Sequence, residues 1–363
     1  MKKADVFDYL SWRGDLTFAQ SAFNEIDSLI LSVFAYLDFS FAQAENAVQF
    51  RDAIAVINRM GDKLKYDGPS MLMRSVIELA TAAATFPRFR DMEVSHFFAV
   101  TDEEKEIQFA AVTFLLSDQT IFLSFRGTDN TLVGWKEDFN MCFTQEIPSQ
   151  MEAAKYAALV AEDMGLPLRL GGHSKGGNLA IYAGTRLPTE QQEKIVCIYN
   201  HDGPGFSEEF LKRDMYLNIR NKIRSFVPES SIVGVLMEHD IYTTIRSSSP
   251  SLLQHNPFSW LVMGTHFIYD ARSFSGKRFE KAINSWIKSM TAQEREELVE
   301  NVYGILSSSD AKTIDDLDNA KLQSFLSMHK TFREMGIKKQ TQLMLSLSKV
   351  FFNSDKLAKD ENE

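Results

Sequence analysis

Through roughly the first 90 residues, apolar side chains recur every three or four positions. Ile26, Leu29, Ile30, Val33 and Leu37 form one stripe, and Val48, Phe50, Ile54, Val56 and Ile57 a looser one. That period puts the stripe on one helix face, so residues 1–90 are expected to be mainly helical and packed on a core. Gly68-Pro69-Ser70 offers a start for a further helix through Ala84, and Trp12-Arg13-Gly14-Asp15 reads as a turn. From about residue 95 the period changes. Residues 106–116 and 120–125 are strand-like runs separated by Ser117-Asp118-Gln119, which predicts a hairpin.

Strands and helices then alternate. Ser149-Gln150-Met151-Glu152 matches a capping box opening a helix to about Asp163, with Gly165 as its stop. Leu166 to Leu170 reads as a short buried strand, and a run rich in small residues to Arg186 as a helix. Residues 194–199, 222–227 and 241–245 are further strands, with a helix over 206–215 and a short one over 232–237 between them. Such alternation implies a mostly parallel sheet with helices on both faces, made mixed by the hairpin. From residue 274 the pattern is helical again, over 279–290, 294–306, 313–333 and 338–352, with a second capping box at Thr291 and Glu294 and a charged tail over 355–363. The expected organisation is an N-terminal helical region (1–90), an α/β core (91–273) and a C-terminal helical region (274–363).

Composition narrows the class. With 44% hydrophobic residues and 28 Phe among 363 positions, a large aromatic core is available, and a net charge of −10 argues against nucleic acid, whose binding depends on basic groups. Cys142 and Cys197 both sit in apolar runs and read as two buried thiols in a reducing compartment. The start lacks an apolar signal core, and the longest apolar run near it, between Asp27 and Asp38, is too short to span a bilayer. A soluble cytoplasmic protein without a transmembrane segment is expected.

The chemistry centres on Gly172-His173-Ser174-Lys175-Gly176, a G-x-S-x-G pentapeptide between a predicted strand and a predicted helix. There the serine sits on a tight turn that pushes its hydroxyl outward, and glycine on either side avoids a clash. A serine nucleophile needs a base, an acid to orient that base, and two amides for the oxyanion. Phe125-Arg126-Gly127-Thr128 follows the hairpin, and Gly127 lets the Thr128 amide join that of Lys175. Asp202, in the Gly/Pro-rich turn after the next strand, is a candidate acid, although a turn aspartate can simply bond the following amides. His239, His255 and His266 are candidate bases. His255 lies in a loop after the last core strand, where the base is expected. His239 in its acidic turn reads as solvated, His266 as a satisfied core residue, and His173 and His201 as poorly aimed neighbours of the site.

These motifs carry a resemblance. Phe125-Arg126-Gly127-Thr128, Trp135-Lys136-Glu137-Asp138 and Gly172-His173-Ser174-Lys175-Gly176-Gly177 resemble the F-R-G-T/S, W-x-x-D and G-H-S-x-G-G pattern of class 3 (fungal-type) lipases. The chain also resembles a bacterial lipase-like family of unknown function, which adds Phe7 to Asp15 and Asp202-Gly203-Pro204-Gly205-Phe206. The likeness covers residues 5–265, most strongly 121–206. It implies an α/β-hydrolase fold, Ser174 as nucleophile, Thr128 and Lys175 as oxyanion amides, and His255 as base. Two departures stand out. Class 3 lipases usually place the acid in a D-x-V-P-like turn, but that place reads Val227-Pro228-Glu229-Ser230-Ser231, so Asp202 is the leading acid, as in pancreatic-type lipases, with Glu229 the alternative. Lys175 replaces the common leucine, and its ammonium is expected either to favour an anionic substrate group or to reach solvent.

The expected function is hydrolysis of a small-molecule ester or lipid-like substrate through an acyl-enzyme, with no metal and no cofactor. A thioesterase or peptidase using the same groups, or a catalytically silent scaffold, are the alternatives.

Overall fold

A computed structural model describes residues 3–60, 70–128, 132–141, 144, 146–307, 332–334 and 340. The N-terminal part comprises α1 (Val6–Arg13), α2 (Glu25–Phe34), β1 (Val48–Gln49), α3 (Phe50–Met60) and α4 (Ser70–Ala83). The central part follows with β2 (Glu93–Asp102), β3 (Ile107–Leu115), β4 (Ile121–Phe125), α5 (Leu132–Met141), α6 (Pro148–Met164), β5 (Leu168–His173) and α7 (Lys175–Arg186). Then come α8 (Thr189–Glu193), β6 (Ile195–His201), α9 (Glu208–Leu211), α10 (Asp214–Leu217), β7 (Ile223–Pro228) and β8 (Thr243–Ile245). The ladder β9 (Val262–Met263) with β10 (His266–Phe267) and helices α11 (Phe274–Ser289) and α12 (Ala292–Ser307) complete the described chain.

Strands β1 to β8 form one sheet in sequential order, antiparallel from β1 to β4 and parallel from β4 to β8. This is the mixed, mostly parallel sheet of an α/β-hydrolase fold, with helices on both faces. The period-2 pattern explains the layering. On β4, Ile121, Leu123 and Phe125 join α6 and α7 in one core, while Phe122 turns to the other, which α1 to α4 cover. Ser124 also faces α2 and donates to the Leu31 carbonyl at 2.8 Å.

Several expected elements differ, each for a local reason. Strand β2 was hidden because its alternation breaks at a register shift between Ser95 and Phe98, where His96 takes φ 52°. Helix α6 is capped at Ile147 by Gln150, whose Oε1 accepts the Ile147 amide at 3.1 Å, rather than by a Ser149–Glu152 box. The Ser149 amide and hydroxyl are instead taken up by Glu137. Trp12 and Arg13 end α1 rather than forming a turn, with Gly14 as its cap, and Val48 lies in a strand ahead of α3. The helix expected over 206–215 is two four-residue pieces, and that over 232–237 shrinks to a 3₁₀ turn at Val233–Val235. The Thr291 box forms: Thr291 Oγ1 accepts the Glu294 amide at 3.2 Å and Glu294 Oε2 the Thr291 amide at 2.8 Å. Gly68-Pro69, Cys142 and most of the predicted helices over 313–333 and 338–352 lie outside the described residues.

Helix α2 is buried on every side and carries polar groups that need partners. Asp27 and Arg88, both with fully buried side chains, pair twice, Arg88 Nε to Oδ1 at 2.7 Å and a terminal nitrogen to Oδ2 at 2.6 Å. Tyr9 donates to Asp27 at 2.8 Å, and Arg88 also ties down the carbonyls of Leu16, Ser21 and Ala22. The residue after Asp27, Ser28, gives its proton to the Glu25 carbonyl at 2.7 Å and meets His201 Nε2 at 2.9 Å. His201 therefore donates through Nε2, leaving Nδ1 buried without a hydrogen-bond partner among the described residues. Burial between Tyr199 and Phe226 pushes its pKa down to about 3, so the ring is neutral in the fold.

Two stability measurements follow. Arg88→Leu leaves Asp27 buried and unpaired, and should lower the unfolding free energy by about 3–5 kcal/mol, read from urea denaturation. For His201, the unfolded ring takes up a proton below its ordinary value near 6.5 while the folded ring does not until about pH 3. Its contribution is therefore intact above pH 6.5 and lost as pH falls across that window, at up to about 1.4 kcal/mol per pH unit. Urea midpoints between pH 7 and 4.5 should fall accordingly, and less steeply in His201→Phe.

Candidate active site

Strand β5 ends at His173 and α7 starts at Lys175, so the chain reverses within the single residue Ser174, held at φ 58° and ψ −135°. A non-glycine residue in that region costs about 1–3 kcal/mol and persists only where its surroundings impose it. They do so by bringing backbone against backbone. A Cβ at Gly172 would lie 2.3 Å from the Gly176 carbonyl carbon, and one at Gly176 would lie 2.1 Å from the Phe125 oxygen. Only glycine allows β4, β5 and α7 to approach so closely. The Ser174 amide donates to the His201 carbonyl at 2.9 Å, leaving its hydroxyl at the carboxyl end of the parallel strands.

Asp202 directly follows β6, is fully buried and takes φ 56°. Its Oδ2 accepts from His255 Nδ1 at 2.7 Å and from Ser231 Oγ at 2.8 Å. Oδ1 is buried without a partner among the described residues and faces Gly234, where a Cβ would lie 2.0 Å away. Since a carboxylate only accepts, His255 donates through Nδ1, which leaves Nε2 as the ring nitrogen free to take a proton in the neutral tautomer. His255 ends a 3₁₀ turn, Ser251–His255, and its side chain is 29% exposed. Among the described residues, Ser174 and His255 are not hydrogen-bonded to each other, and such a contact need only form in the complex with substrate. Glu229 goes elsewhere, its nearest side-chain partner being Gln254 at 3.5 Å.

His173 holds the His255 backbone. Its Nε2 meets the His255 carbonyl at 2.8 Å, its Nδ1 meets the Tyr36 hydroxyl at 3.2 Å, and the two imidazoles stack with centroids 4.6 Å apart. Burial first, then neighbouring His255, keeps the His173 pKa well below its ordinary value, so it is a neutral donor to that carbonyl. Trp260 adds a bond from its indole nitrogen to the Gln254 carbonyl at 2.8 Å. His201 packs its ring on Trp260, whereas His239 and His266 bond none of these groups. His239 is not solvated as its acidic turn implied: its Nε2 is buried and burial pushes its pKa down to about 4. His266 is half-buried, bonds the Phe267 carbonyl and packs on Tyr269.

Gly127 brings the Phe125–Thr128 segment against the elbow, since a Cβ there would lie 3.1 Å from Ser174 Cβ and 2.3 Å from the Tyr36 hydroxyl. Thr128 donates its hydroxyl to Asp138 on α5. Among the described residues, no acceptor pairs with the backbone amides of Thr128 or Lys175. The Lys175 side chain, expected near the cleft, turns the other way. Its ammonium is fully buried and spends its three protons on Gln108 O, Gln108 Oε1 and Glu137 Oε2, each at 2.8 Å. A cleft of about 440 Å³ with Asp38, Phe97, Phe98 and Arg126 in its walls opens on the Tyr36 side.

Tyr36, Ser231, Gly234 and Glu137 were not identified from sequence as site residues. Ser231 lies in the same turn as the alternative acid Glu229. No local pattern marks Tyr36, which reaches His173 from the far end of α2.

No metal-binding cluster of His, Cys, Asp or Glu occurs among the described residues, and no helix there is long and apolar enough to cross a membrane. A comparison with curated proteins finds no match. Among solved structures, the Rhizomucor miehei lipase propeptide complex is similar at 15% identity and TM-score 0.36, over 61% of this chain and 76% of that one. The lipase of Rhizopus microsporus var. chinensis is similar at 15% identity and TM-score 0.33, over 56% and 78%. At those values neither likeness bears on activity. A family model described as Mbeg1-like matches residues 83–304, well over half of the chain and including Ser174, Asp202 and His255, and the chain belongs to the Mbeg1-like family.

Proposed function

We propose that the protein is a serine hydrolase that cleaves carboxylic esters. The observation that carries this reading is the 2.7 Å bond from His255 Nδ1 to the buried Asp202 carboxylate, beside a serine held at φ 58°. Ser174 Oγ attacks the acyl carbon and passes its proton to His255 Nε2. Asp202, fixed by Ser231, keeps the ring in the required tautomer and offsets the imidazolium charge. The Thr128 and Lys175 amides receive the oxyanion. Collapse expels the alcohol, which takes the proton from His255, and water activated by the same ring releases the acid. The whole cycle needs no metal and no cofactor. The Lys175 ammonium takes no part in substrate recognition, because its donors are spent.

A fluorophosphonate probe should label the wild-type protein at Ser174 and leave Ser174→Ala unlabelled; equal labelling of both would reject the nucleophile. Asp202→Asn should lower kcat by about four orders of magnitude, while Glu229→Gln stays within about threefold. The opposite ranking would transfer the acid role to Glu229. Gly234→Ala drives a methyl into Asp202 Oδ1 and should reduce kcat about 10- to 100-fold in a folded protein. Short-chain esters assayed beside acyl-thioesters and peptides separate the hydrolase classes, and inactivity on all of them favours a silent scaffold.

A further inference from the structure

Glu137 on α5 and Lys175, the residue immediately after Ser174, form an ion pair with no exposed side-chain surface. Burying an ammonium costs several kcal/mol before pairing, and an apolar side chain would fill the same place without that cost. The pair is therefore poorly explained by stability alone, whereas its connections have a clear geometric consequence. Glu137 Oε1 accepts the Ser149 amide at 2.9 Å. Its Oε2 accepts from Ser149 Oγ at 2.7 Å, the Gln108 amide at 3.2 Å and Lys175 Nζ at 2.8 Å. One carboxylate thus joins β3, the start of α6 and the start of α7. The next residue on α5, Asp138, accepts the Thr128 hydroxyl. Two consecutive side chains of α5, about 100° apart around its axis, therefore grip the two segments that end in the Lys175 and Thr128 amides.

We infer that Glu137 is a positioning residue: through Lys175 it holds the amide behind Ser174 in register with that of Thr128. The inference rests on the reading of those two amides as oxyanion donors. Their spacing matters because a donor displaced by about 1 Å forfeits much of its stabilisation of a developing charge. A carboxylate held by three elements moves only if all three move, so it fixes that spacing more narrowly than apolar packing, which tolerates sliding. It also accounts for a lysine at the position where leucine is common in class 3 lipases: the side chain acts on α5 and not on the substrate.

The full-length protein, Glu137→Gln, Lys175→Met and the double variant are compared by hydrogen–deuterium exchange and by kcat and KM on a short-chain p-nitrophenyl ester. Glu137→Gln keeps the side-chain shape and removes its charge. Exchange should quicken in the segments around Thr128 and Lys175 and not in the rest of the sheet. The kcat should fall about 10- to 100-fold with KM within about threefold, a split that general loosening of the fold does not produce. The double variant leaves no buried charge alone, so it serves if a single variant fails to fold. Its loss should not exceed that of the worse single change, because the two side chains act as one unit. Unchanged exchange and kcat in a folded Glu137→Gln or double variant overturn the inference, as does a loss confined to KM. Hydrolysis that survives Ser174→Ala, with exchange still quickened in Glu137→Gln, removes the proposed reaction and keeps the strap. Hydrolysis lost in Ser174→Ala but untouched in Glu137→Gln, with exchange unchanged, keeps the reaction and removes the strap.

Discussion

The approach of three backbones at the elbow is the constraint on which the rest of the site depends. Gly172 and Gly176 bring β5 and α7 to within a carbonyl's width of each other and of Phe125 at the end of β4. That closeness forces Ser174 into its strained conformation, and the strain is sustained because a large two-faced core surrounds it. Relaxing the turn would require separating strands whose residues are almost all buried. The parallel register then carries the consequence outward. His173 lies beside His201 on the neighbouring strand, and so Ser174 and Asp202 leave the sheet side by side, both with positive φ.

Around that point the polar groups divide by depth. Below it, Asp27, Arg88, Tyr9, Ser28 and His201 satisfy one another between α2 and the sheet, so the N-terminal helices share a core with the strands rather than lying loosely over them. Next to Ser174, the buried Tyr36, His173 and Ser231 orient His255 and Asp202 through hydrogen bonds to a ring, a carbonyl and a carboxylate oxygen. To one side, Glu137 and Lys175 join α5 to α7. On its outer surface α5 is held by α12, where Lys136 lies between Glu106 at 2.6 Å and Glu300 at 2.8 Å. Helix α12 thus braces the element that grips Thr128.

Lys175 shows how a substitution in a motif can mislead when taken as a local chemical statement. Beside a nucleophile, an ammonium suggests an anionic substrate. Its direction depends on helix α7, whose first residue turns its side chain toward Gln108 at the start of β3 and Glu137 on α5. The same holds for His239, whose acidic neighbours suggested solvent while its ring nitrogen is buried.

The sequence by itself determined what depends on neighbours along the chain. The period of apolar positions predicted the alternation of strands and helices, and the glycines around Ser174 and at Gly127 marked turns that larger residues cannot make. The order of Ser174, Asp202 and His255 could be read as a candidate set because each directly follows a predicted strand or lies in the loop beyond one. What only the tertiary structure decided is which distant groups meet. The Asp202 carboxylate faces His255 and not solvent, Glu229 turns to Gln254, Tyr36 reaches His173, and Lys175 reaches Glu137. Side-chain direction and burial follow from how elements far apart in the chain pack, and periodicity carries no information about that. For the same reason β2 was hidden: its bulge at Ser95 to Phe98 breaks the alternation, and only pairing with β3 makes it a strand.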